Sequence, residues 1–111
     1  MDTVVVIALY QPYSGKEGEL TELLRRHVPT LRSEGLATSR PVLVLRSRTN
    51  RTYIEIFEWV SEQATELAHA NTKVKDIWGK LEEVAHFSTL SNLPEASQLF
   101  AHFEVVEEIS E

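Results

Sequence analysis

Apolar positions along the chain fall into six blocks, and their spacing separates strands from helices. Thr3 to Tyr10 (TVVVIALY) is β-branched and apolar at both parities, which predicts a strand covered on both faces. Gln11-Pro12-Tyr13-Ser14-Gly15 is turn chemistry. From about Lys16 to Ser33 the apolar residues Leu20, Leu23, Leu24, Val28 and Leu31 recur at helical spacing. Pro29 inside that run predicts a lost backbone bond and a kink, and Gly35 predicts the stop. Pro41 to Ser47 reads as a second strand, Arg48 to Thr52 as a break of hairpin length, and Tyr53 to Val60 as a third strand. Ser61 reads as the N-cap of a second helix whose apolar positions run from Ala64 to Ala85, with a break at Asn71-Thr72. A loop rich in Ser, Asn and Pro follows Ser88, and Gln98 to Val106 reads as a fourth strand.

The order β-α-β-β-α-β predicts an α+β fold of ferredoxin-like topology: one four-stranded antiparallel sheet with both helices on one face. The whole chain, 1–111, reads as a single domain. Val4, Val6 and Ala8 alternate with Val5, Ile7 and Leu9, and Val42 and Val44 with Leu43 and Leu45, so both sheet faces are apolar. Two helices cover only one of them. A second copy packed through a two-fold axis is the simplest cover for the other.

Composition narrows the function classes. The chain carries no cysteine, which removes disulfides, thiolate zinc sites and cysteine nucleophiles. With no signal-like leader and no apolar run of ~18 residues, it reads as a cytoplasmic chain without a membrane partner. The net charge of −6 argues against nucleic acid. All seven arginines lie between Arg25 and Arg51, alongside one acid, Glu34, whereas Glu104 to Glu111 holds four acids and no base. That segment reads either as a solvated face or as a basic rim for an anionic ligand or a partner's acidic tail.

The chain resembles the antibiotic biosynthesis monooxygenase family of dimeric α/β barrels. The resemblance rests on the Gly15 to Gly18 opening of the first helix, its Val28-Pro29-Thr30-Leu31-Arg32-Ser33-Glu34-Gly35 ending, Phe57-Glu58-Trp59 closing the third strand, and Ala68-His69 in the second helix. Departures lie at Glu34-Gly35-Leu36-Ala37 and in the Thr38-Ser39 link. The resemblance implies a homodimer with a cavity between its two sheets. It also implies oxygenation of a phenolic or quinol-like ring without metal, flavin or any other cofactor. A ligand-binding or stress-associated dimer with no catalysis is the alternative, and a purely structural domain without a cavity is a third reading. Haem degradation fits poorly: the position of the haem-ligating histidine aligns with Trp78, and the end of the first strand holds Ala8, Leu9 and Tyr10 where an asparagine is needed.

In the third strand Ile54 and Ile56 share one face and Tyr53, Glu55, Phe57 and Trp59 the other. The isoleucines are assigned to the helix side, which points the aromatic and carboxylate face into the dimer cavity. Trp59 is the residue the resemblance places against substrate; the alternative is a core ring. Glu55 is a candidate base, or else a partner of Arg46 or Arg48 across the hairpin. His69, where the family often has histidine, is a candidate catalytic group or a hydrogen-bonded structural one. His27, on the stripe of the first helix, reads as cavity-lining or as a satisfied buried imidazole. Tyr10 offers a hydroxyl, Tyr13 reads as a surface ring, and His102 shares a strand face with Phe100. His86 reads as a helix-end residue that complements the dipole. The four histidines are scattered without metal-ligand spacing.

Overall fold

The computed structural model describes residues 2–110. Its elements are β1 (Val4–Pro12), α1 (Glu17–Ser33), β2 (Val42–Ser47), β3 (Tyr53–Trp59), α2 (Gln63–His69), α3 (Thr72–Val84), β4 (Ala85–Ser88) and β5 (Phe103–Ile109). Two single turns of 3-10 helix, Leu90–Asn92 and Pro94–Ser97, lie between the last two strands.

The strands form one sheet in the order β4-β1-β3-β2-β5, and every pairing is antiparallel. The β-α-β-β-α-β core is as expected from the sequence, but the sheet has five strands, not four. The core is closed by β4, a four-residue strand against β1 where the end of the second helix was expected. The expected fourth strand starts later, at Phe103, and becomes an extra strand on the free edge of β2. It cannot start at Gln98, because Phe100 sits at φ 52, outside extended backbone.

Local chemistry explains the helix ends. The end of α1 is a Schellman cap: Leu36 N–H donates to the Leu31 carbonyl and Gly35 N–H to that of Arg32, both at 2.9 Å. Gly35 takes φ 75, which glycine adopts without penalty. Pro29 lies within the continuous α1. The long second helix is two, divided at Ala70-Asn71, where the Asn71 side chain accepts the Val74 N–H at 3.0 Å. Ser61 is not a side-chain cap; its backbone carbonyl accepts the Ala64 N–H instead.

The helices pack on the face formed by Val6, Ala8, Tyr10, Val42, Val44, Tyr53, Phe57 and Trp59, together with Leu20, Leu24, Val28, Leu31, Ile77 and Leu81. The opposite face is apolar too. Leu93, brought back by the turns after β4, packs with Leu9 and Ile54, and Leu45, Ile56 and Phe103 are partly buried against them. Val5, Ile7 and Val105 remain exposed at 54%, 44% and 69%. A buried carboxylate holds the covering segment down: Glu95 accepts from Ser47 Oγ at 3.0 Å and from the Arg48 N–H at 3.1 Å.

The arginine segment meets the chain's own acidic strand. Arg25 pairs with Glu107 at 2.9 Å and Arg46 with Glu104 at 2.7 Å. Arg32 donates to the carbonyls of Thr38, Arg40 and Ser110. Exposed pairs of this kind position the strand more than they stabilise it. Glu111 lies outside the described residues. No helix is long and apolar enough to cross a membrane among the described residues.

Candidate functional site

A pocket of about 520 Å³ opens between the sheet and the helices of a single chain. Its sheet wall is Val6, Ala8 and Tyr10 of β1 with Phe57 and Trp59 of β3; α1 supplies His27, α2 His69, α3 Trp78 and Glu82, and β4 Phe87. Two expectations are thereby corrected. Tyr53, Glu55, Phe57 and Trp59 face the helices, and Ile54 and Ile56 face away from them. The aromatic wall therefore belongs to an intrachain pocket and not to the outer sheet face. The reason is that the largest rings of β3 need the deeper cover, and the helix side supplies it.

At the pocket floor four side chains from four elements form one hydrogen-bonded line. Trp78 Nε1–H donates to His27 Nε2 at 2.8 Å. An indole nitrogen only donates, so His27 Nε2 accepts and the ring proton lies on Nδ1. That proton is donated to the Glu55 carboxylate, whose oxygens lie at 2.9 and 3.0 Å. Tyr10 donates its hydroxyl to Glu55 Oε1 at 2.7 Å. Glu55 is wholly buried, and His27 and Tyr10 are 3% and 4% exposed. Burial first, and then the adjacent Glu55 charge, push the Tyr10 hydroxyl well above the usual phenol range.

Glu55 thus pairs with neither Arg46 nor Arg48. Arg46 is taken by Glu104 and stands opposite Tyr53, whereas Glu55 stands opposite Val44 and pairs with His27. His27 is the satisfied buried imidazole and lines the pocket as well. Trp59 is both core and wall: it is 5% exposed, lines the pocket and stands edge-to-face with Phe57 at 5.1 Å between centroids.

His69 differs from His27 in being exposed. Its Nδ1 donates to the Thr65 carbonyl one turn back at 2.8 Å, which leaves Nε2 as an acceptor with no hydrogen-bond partner among the described residues. The ring stands edge-to-face with Trp78 at 4.9 Å. A base with one nitrogen anchored and the other unpartnered is suited to take a proton from a ligand.

The remaining expectations fall outside the pocket. Tyr53 is buried in the core beside Arg46. His102 precedes β5 and is exposed near Arg48 and Phe100, away from the other candidates. His86 lies in β4, not at a helix end. Tyr13 is a surface ring, 47% exposed. Sequence reasoning assigned no role to Trp78 in the polar line, to Glu82 or Phe87 in the wall, or to Glu95. The helical spacing of Trp78 and Glu82 (i, i+4) placed them on one face and was the available signal.

No protein-family model, curated protein or solved structure matches the chain.

Proposed function

We propose that the chain binds a small planar aromatic molecule in the pocket between sheet and helices, and oxygenates a phenolic or quinol-like ring there without a cofactor. The observation that carries this reading is the pocket itself: ring-lined, in the size range of small-molecule sites, with one unpartnered basic nitrogen at His69. In the proposed reaction His69 Nε2 takes the acidic proton of the ligand. The electron-rich ring then reduces dioxygen; one oxygen atom enters the ring and the other leaves as water, both electron pairs coming from the substrate. Trp59 and Trp78 hold the ring, and the Glu55–His27 line fixes the Trp78 indole.

Oxygen uptake with a panel of quinols and anthrones tests this. Turnover that falls in both Trp59→Ala and His69→Gln supports it. Turnover with no member of the panel, or turnover indifferent to both changes, contradicts it.

The second reading is a binding protein with no catalysis. It is favoured by the closure of the polar line on itself: Tyr10, Glu55, His27 and Trp78 already satisfy one another, so binding needs none of them as an acid or base.

We further propose that the chain works as a homodimer through the outer sheet face. Val5, Ile7 and Val105 on that face support this, as do Leu99 and Phe100 in the segment before β5, exposed at 90% and 91%. The pocket is complete within one chain, so pairing covers the sheet and does not enclose the ligand.

A further inference from the structure

The charges around the pocket are of one sign. Among the described residues its only lining carboxylate is Glu82 of α3, the wholly buried Glu55 of β3 lies behind Tyr10 and His27, and no arginine or lysine lines it. The remaining polar groups from the packed elements are Tyr10, His27, His69, the Trp78 indole and Ser88, whose hydroxyl accepts from the Asn92 amide. Tyr10 and Trp78 spend their protons on Glu55 and His27. Around them stand the rings of Phe57, Trp59, Trp78 and Phe87. Ring walls with a carboxylate at hand favour an organic cation, and no lysine or arginine in this wall compensates an anion.

We propose that the ligand of this pocket is an aromatic compound carrying a protonated amine, held by the rings and Glu82, with its acidic hydroxyl toward His69. The inference rests on the functional reading above and deepens it by naming the substrate class. Charge balance supports it. When His69 takes the proton of a phenol, a phenolate and an imidazolium form as a pair. Glu82 is then the uncompensated charge, in a pocket lined by no lysine or arginine among the described residues. An ammonium group on the ligand supplies its counter-charge. A neutral phenol leaves that carboxylate unpaired, and a ligand carboxylate adds a second negative charge beside it.

Three probes of matched shape decide this: tyramine, the neutral ethylphenol and the anionic hydroxyphenylacetate, titrated against the fluorescence of the two tryptophans. Tyramine is expected to bind about fivefold to thirtyfold more tightly than ethylphenol, with hydroxyphenylacetate weakest. Glu82 is exposed, so Glu82→Gln is not expected to disturb the fold. That change should narrow the gap between tyramine and ethylphenol by weakening tyramine. Equal affinity for tyramine and ethylphenol, or preference for the anion, overturns the charge inference while leaving the pocket reading intact. A gap that Glu82→Gln does not narrow overturns it as well. Failure of all three probes to bind overturns both.

Discussion

The Trp78 indole nitrogen lies 2.8 Å from His27 Nε2, and that one bond fixes which imidazole nitrogen carries the proton. The consequence runs through the site: Nδ1–H is committed to Glu55, Glu55 accepts from Tyr10, and the polar groups of the pocket floor are paired with one another. Trp78→Phe keeps a ring in place but removes the donor. It is expected to lower stability by about 1–3 kcal/mol by leaving a buried acceptor unpaired. Urea denaturation measures this; an unchanged midpoint would show that the bond does not order the site.

Glu55→Gln should cost a similar amount, about 1–3 kcal/mol, although the side chain is nearly isosteric. An amide presents one oxygen and two N–H donors where the carboxylate presented only acceptors; if its oxygen takes the His27 proton, the Tyr10 hydroxyl must turn from donor to acceptor, and both charge-assisted bonds are lost. Combining Glu55→Gln with Tyr10→Phe should cost less than the two single effects added together, because both act on one bond. Simple additivity in the double-mutant cycle would count against the line of hydrogen bonds.

Gly35→Ala is expected to destabilise by about 1 kcal/mol. Gly35 holds φ 75, and no atom lies within 4 Å of the place an added methyl group would take, so the cost is backbone conformation and not a clash. Thermal unfolding against Gly18→Ala, an α1 position that also has open space around it, separates the two effects. Alanine should be harmless or stabilising at Gly18.

Acid should weaken the fold through three glutamates. Hydrogen bonds from Thr38 and Thr3, and the nearby Arg40, hold Glu58 below the ordinary glutamate value of 4.5. The Asn71 amide does the same for Glu34, and Arg46 for Glu104. A lowered native value contributes stability that is fully present above the unfolded value and is lost as pH falls through the native one. The urea midpoint should therefore hold at neutral pH and decline below about 4.5. Glu58→Gln should flatten that decline; an unaltered acid limb would rule out its share.

Alkali acts through Tyr10 with the opposite sign. Its raised native value means that its contribution is fully present below the unfolded value of 10.0 and is lost as pH rises toward the native one. Tyrosinate absorbance of the folded protein should be the same for wild type and Tyr10→Phe through the range where free tyrosine ionises. A difference there would contradict the buried Tyr10–Glu55 contact.

Much of the fold was legible because its signals are local. The stripe of α1, the Gly35 stop and the break at Asn71 each depend on residues within a few positions of one another. The four-residue β4 was not legible, since Ala85 to Ser88 is too short to show a period and Phe100 hides the true start of β5. The facing of β3 was misread for a different reason. With apolar residues at both parities in β1 and β2, alternation no longer says which face meets the helices, and only packing decides. The site was legible as a set of residue types but not as pairs. His27 and Trp78 are 51 positions apart, and His27 and Glu55 are 28 apart, so nothing local announces either bond.

Ligand lodging between sheet and helices within one chain is tested most directly by side-chain NMR with naphthol added stepwise. Saturable shifts of the Trp59 and Trp78 indole signals and of the His69 ring are expected, with the methyl groups of Val5 and Ile7 unmoved. Shifts confined to Val5, Ile7 and their neighbours on the outer sheet face, with the indoles silent, would contradict an intrachain site.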